Sequence, residues 1–130
     1  MGMESYKELR VWQQGIALVV DVYRVTQAFP QQELYGLVSQ IRRAAVSVPS
    51  NIAEGWGRSR TIEYIRFLGI ARGSLMELET QLIIAGKLGY LSPAQIDTLL
   101  PQISDLGRGV SALITSLKRR LPAPSPPPNS

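Results

Sequence analysis

From Leu9 to Leu117 the apolar residues of this chain recur at intervals of three and four, in four runs separated by breaks that carry proline or glycine. That spacing puts them on one side of a 3.6-residue helix, whereas a half-buried strand needs strict alternation, and no strand pattern competes. Ser5-x-x-Glu8 reads as a capping box, opening a helix that runs to about Ala28 and stops at Phe29-Pro30. Its apolar residues form two stripes on nearly opposite sides. Leu9, Trp12, Ile16, Val20 and Tyr23 make one, and Val11, Leu18, Val22, Val25 and Phe29 make the other. Such a helix has more to bury than one bundle core covers.

The second run begins within residues 31–36, aligns Leu34, Leu37, Ile41, Ala45, Val48 and Ile52, and stops at Gly55-Trp56-Gly57. Pro49 lies inside it and predicts a kink, because proline removes one backbone bond at a cost of about 3 kcal/mol unless something compensates. The third run starts near Ser59 or Thr61, has Glu63 in its first turn, and ends with Gly89 as the residue that reverses the chain. Its apolar arc is wide. Ile62, Ile65, Leu68, Leu75, Leu82 and Ile83 form one side, extended by Phe67, Ala71, Leu78 and Ala85. The fourth opens with Ser92-Pro93-Ala94-Gln95, a capping box with proline at the first helical position, and carries a single stripe from Ile96 to Leu117. An all-α fold is expected: an antiparallel, up-down four-helix bundle over residues 1–120, with a kinked second helix. Residues 121–130 hold five prolines and are expected to form a disordered tail.

Composition narrows the chemistry. Without histidine or cysteine, a Ser–His–Asp or Cys–His site cannot be built within one chain, and the commonest transition-metal ligands are missing. No catalytic residue, cofactor or metal is expected: Asn51 and Glu54 suit hydrolytic chemistry by type, but no second catalytic carboxylate or nucleophile–base pair accompanies them, and Asn51 fits better as a partner for backbone groups freed near Pro49. No apolar run reaches the roughly 20 residues of a membrane span, and a cytoplasmic location is expected. The net charge of +4 is uneven: residues 34–75 hold six arginines against two glutamates.

Those arginines divide by position. Arg42 and Arg43 lie off the apolar stripe of the second helix, and Arg58 and Arg60 flank the start of the third, where free N–H groups also favour an anion. Two readings stand side by side: a phosphate-binding surface, or ordinary solvated charges. Any nucleic-acid contact would be to backbone before base. Arg66 is a further candidate. Arg72 projects inside the apolar arc, so it calls for a partner, either Glu79 two turns on or Glu54 from the preceding helix, in an ion pair that sets helix register or subunit packing. Trp56 either packs the bundle end or offers a stacking platform, packing being the simpler role. Lys118-Arg119-Arg120 is assigned to the dipole of the last helix end.

The runs LRVWQ, FPQQELYGLVSQIRRAAVSVPSNIAEGWGR and EYIRFLGIARGSLMELETQL resemble the bacterial four-helix bundle proteins encoded by intervening sequences in 23S ribosomal RNA genes. The likeness spans about residues 5–118. That family is similar in fold to the Avd accessory proteins of diversity-generating retroelements, which bind nucleic acid and a reverse transcriptase. The resemblance implies a non-enzymatic homopentamer that binds RNA or DNA, with Arg42, Arg43, Arg58 and Arg72 inside the shared motif and Arg60 and Arg66 beside it. The alternative is an interaction scaffold for a protein partner such as a reverse transcriptase, with nucleic-acid affinity incidental.

Overall fold

The computed structural model describes residues 4–122 and 127–128. Most of the proline-rich tail expected at 121–130 therefore lies outside the described residues. Four helices dominate the described residues: α1 (Arg10–Thr26), α2 (Leu37–Trp56), α3 (Thr61–Lys87) and α4 (Pro93–Lys118), with short 3-10 turns at Tyr6–Glu8 and Gln31–Glu33. The helices neighbour one another in the cyclic order α1, α2, α3, α4.

Cross-helix contacts fix the directions. Gly15 meets Pro49 and Thr26 meets Arg42. Gly55 meets Phe67 and Ser47 meets Ser74, while Arg72 meets Ser111 and Gly86 meets Ile96. Val11 meets Gly109 and Asp21 meets Gln102. Within each pair of helices one number rises as the other falls, so all four interfaces are antiparallel.

Each helix turns one stripe inward. Leu18 and Val22, then Ile41, Val48 and Ile52, then Leu68, Leu78 and Leu82, then Leu99, Leu106 and Val110 are at most 1% exposed. Fully burying each such side chain contributes roughly 1.5–3 kcal/mol. The second stripe of α1 is the buried one. From the first, Ile16, Val20 and Tyr23 stay about two-fifths exposed. Leu34, expected on the inner face of α2, precedes that helix and is exposed.

The end signals are partly as the residues predict. Ser92 and Gln95 form the reciprocal capping box with Pro93 beside it. Gly89 has a φ of 82°, and Tyr90 N donates to Ala85 O while Gly89 N donates to Gly86 O, which closes α3 in a Schellman motif. Ser5 differs. Its hydroxyl accepts from Lys7 N and caps the 3-10 turn, and extended Leu9 separates that turn from α1. The cap is real but serves a different turn, because Leu9 is drawn into the core.

Helix α2 passes through Pro49, whose ring lies against Gly15; a Cβ on Gly15 would stand 3.2 Å from Pro49 Cβ. Just beyond, Asn51 Nδ2 donates to Ser47 O at 2.8 Å and to Ser47 Oγ at 2.9 Å. Since Asn51 already donates to that hydroxyl, the Ser47 proton is available to Ser74 Oγ, 2.8 Å away on α3. These hydrogen bonds tie α2 to α3 within an apolar interface.

Gly55 sets the closest approach of these two helices. A Cβ there would sit 2.8 Å from Phe67 Cβ and 3.2 Å from Tyr64 O, and neither can swing away. Gly55→Ala should destabilise the fold by about 1–3 kcal/mol in chemical denaturation. Gly107→Ala, where a Cβ meets nothing within 4 Å, should stabilise it by about 0.5–1 kcal/mol.

Candidate nucleic-acid interface

Antiparallel alternation places the start of α1, the end of α2, the start of α3 and the end of α4 at one end of the bundle. Lys7, Arg10, Arg58, Arg60, Arg66, Lys118, Arg119 and Arg120 gather there, against Glu4, Glu8, Glu54 and Glu63. The remaining six basic and six acidic residues cancel. The whole +4 of the chain therefore resides at this end.

Aromatic rings consolidate it. Tyr6 packs edge-on against Trp12 and Trp56, with ring centres 5.4 and 6.4 Å apart, so the N-terminal turn is pinned to α1 and α2. Trp56 is half-buried in this cluster, the packing role rather than an open platform. Phe67 carries two guanidinium groups, Arg58 at 4.8 Å and Arg66 at 4.9 Å from its ring centre. Each contact of this kind contributes about 0.5–1 kcal/mol at an exposed site and holds the cation in place. Arg58 also donates to Glu54 at 2.7 Å in an exposed pair one helical turn apart, of a type that contributes about 0.3–0.5 kcal/mol. A phosphate can compete for such a cation. Arg60 is the N-cap of α3 and is exposed, and no side chain caps that helix. Burial raises the Tyr64 phenol above its ordinary value, and the Arg120 guanidinium pulls the other way, which puts the end of α4 beside the start of α3.

Arg42 and Arg43 stand elsewhere. Arg42 is fourteen residues before Trp56 in α2, about 21 Å along the axis. Its Nε donates to Thr26 Oγ1 at 2.9 Å, a terminal nitrogen reaches Tyr23 O at 3.4 Å, and the guanidinium lies 4.5 Å from the Tyr23 ring centre. It closes the C-terminal end of α1, where a cation complements the helix dipole. Arg43 beside it is exposed. The four arginines thus do not form one patch. Arg58, Arg60 and Arg66 come together with Lys118-Arg119-Arg120, whose place in the sequence points only to a helix end. The signal for that grouping is topological: only the direction of each helix brings residues 58–66 and 118–120 to one place.

The ion pair expected of Arg72 is a correction. Arg72 is half-buried between α3 and α4, and its guanidinium donates to Ser111 Oγ at 3.4 Å. Among the described residues it has no carboxylate within 4.0 Å. Glu79 is seven residues along, about 10 Å in rise, too far to pair. Glu54 is exposed on α2 and is taken by Arg58. Half-buried, Arg72 can extend its head group past Ser111 into water with its stem on apolar surface.

These features define a class: an all-α, up-down four-helix bundle whose excess positive charge sits at one end. The chain belongs to the 23S rRNA-intervening sequence protein family, whose model matches residues 7–112. Its fold is similar to the crystal structure of a protein of unknown function from the S23 ribosomal protein family of Bacteroides thetaiotaomicron, with a TM-score of 0.75, 19% identity, and coverage of 81% of this chain and 95% of that one. No curated protein matches it.

Arg42→Ala should lower stability by about 1–2 kcal/mol in denaturant titration, because it removes charged hydrogen bonds at a helix end. Arg60→Ala should change stability by less than about 0.5 kcal/mol, since its side chain is exposed.

Proposed function

We propose that the protein is a non-enzymatic, homo-oligomeric accessory protein of the cytoplasm that holds the phosphate backbone of RNA or DNA against the basic end of its bundle. The observation that supports this best is the concentration of all net charge at that end, from three stretches of chain far apart in sequence. Neutralising phosphates there releases condensed counterions, so affinity comes without base readout. Arg58 and Arg66, braced on Phe67, present fixed charge, while Arg60 and residues 118–120 add exposed cations.

Oligomerisation fits the uncovered apolar residues on α1 and α3, and a pentamer is the assembly that the family resemblance suggests. Repeating one modest basic patch in an assembly raises its avidity for a single strand. A second reading, docking of a protein partner such as a polymerase, draws on the opposite end. There Tyr35 is 93% exposed, and Leu34 and Leu88 are exposed in the loops beside it. A stoichiometric protein recovered by pull-down after nuclease treatment would favour that reading.

Binding of a labelled single-stranded oligonucleotide should weaken steeply with salt. The logarithmic slope should shrink by about 0.7 for each contacting cation removed. The combined variant Arg58→Ala, Arg60→Ala, Arg119→Ala, Arg120→Ala should lose most of the affinity while keeping its helical content. Absent binding at low salt, or binding unchanged in the variant, would refute the proposal.

A further inference from the structure

The groove between α3 and α4 holds a cavity of about 380 Å³. Small-molecule sites typically span about 300–1,000 Å³, and the space between helices of a bundle is one of their usual places. Its floor is Leu75 of α3 and Ile103 of α4, which are 2% and 4% exposed. Met76 forms one rim and is 61% exposed. On the α4 side the wall lacks a side chain at Gly107, where an added Cβ would meet nothing within 4 Å.

Charged groups stand at the two ends of this groove. At one end Arg72 Nη1 donates to Ser111 Oγ at 3.4 Å. Arg72 and Arg42 are the half-buried arginines among the described residues. Arg42 makes two hydrogen bonds and a ring contact. Arg72 makes that one long bond, and among the described residues it has no carboxylate within 4.0 Å. A guanidinium carries five N–H donors in a fork that matches a carboxylate, so most of its bonding capacity is unused. Arg108 lines the groove as well but is held by Asp105. Glu79 marks the far end, seven residues on and about 10 Å along α3. Among the described residues no basic group lies within 4.0 Å of it.

We infer that the α3/α4 groove binds a small amphipathic monocarboxylate. Its carboxylate takes the Arg72 guanidinium through two parallel N–H···O bonds, and its hydrocarbon body lies over Leu75 and Ile103. Ser111 Oγ accepts from Arg72, so its own proton is free to donate to the ligand. A second negative charge on the ligand would meet Glu79 with no cation to offset it, and that selects for a single charge. The site is separate from the basic end of the bundle, because Arg72 stands about 16 Å along α3 from Thr61.

Titration with decanoate, kept below its micellar concentration, should give a saturable heat and move the methyl resonance of Met76. Acetate at the same concentration should do neither, and sebacate, the same chain with a second carboxylate, should bind more weakly. Arg72→Gln should weaken decanoate binding by at least about tenfold. Gly107→Leu fills the groove, leaves the cation in place, and should abolish binding. Circular dichroism checks that both variants fold. Arg58→Ala combined with Arg60→Ala should leave decanoate binding unchanged. An unmoved Met76 resonance, equal affinity for acetate, or binding unaltered in both groove variants would overturn the inference. So would a Met76 resonance that moves with protein dilution and not with decanoate, which assigns the groove to a contact between copies.

Discussion

Alternation of helix direction is the constraint on which the rest depends. Residues 57–60 and 88–92 are the only links between α2 and α3 and between α3 and α4, and links that short force each helix to turn back along its predecessor. Once each helix buries its stripe, the ends of the four helices are assigned without further choice. The basic residues of the N-terminal turn, of the α2–α3 link and of the α4 terminus then share one end. None of these segments is strongly basic for its length except residues 118–120. The field that an anion meets is a product of topology.

The same constraint explains why arginines close in sequence do different work. Arg42 sits where the first turns of α2 pass the last turn of α1, and the carbonyls of that turn and Thr26 Oγ1 are its partners. Arg58 sits two residues past α2, where Phe67 and Glu54 hold it at the bundle end. Arg72 faces the α3/α4 groove, whose lining residues Leu75 and Ile103 make it mainly apolar. One side chain closes a helix, one is presented to solvent, and one lays its stem along an interface. Helical angle alone does not distinguish them.

Much of the fold was legible in local chemistry. The Ser92 box, the reversal at Gly89 and the inward stripes of α2 and α4 depend on neighbours within a turn or two, and the structure keeps them. Ser5 caps a 3-10 turn and not α1, because a capping pattern does not specify the kind of turn it caps and Leu9 is drawn into the core. The uncovered stripe of α1 was visible as a surplus of apolar residues. For the site, Arg58 and Arg60 were legible as a pair at the start of α3 with Arg66 as a further candidate, but their separation from Arg42 and Arg43 was not, nor was the place of Lys118-Arg119-Arg120, whose neighbours are 50 or more residues away in sequence. The expected Arg72 pair failed because angular projection ignores rise: residues seven apart share an angle and are separated by about 10 Å.

The central claim is that one end of the bundle, and not its sides or its other end, meets the nucleic-acid backbone. Amide hydrogen exchange with and without a single-stranded oligonucleotide at low salt tests it most directly. Protection should appear at residues 57–66 and 118–122 and leave the loops at 31–36 and 88–92 unchanged. Protection centred on those loops, or on the segment around Arg42 and Arg43 alone, would contradict the account.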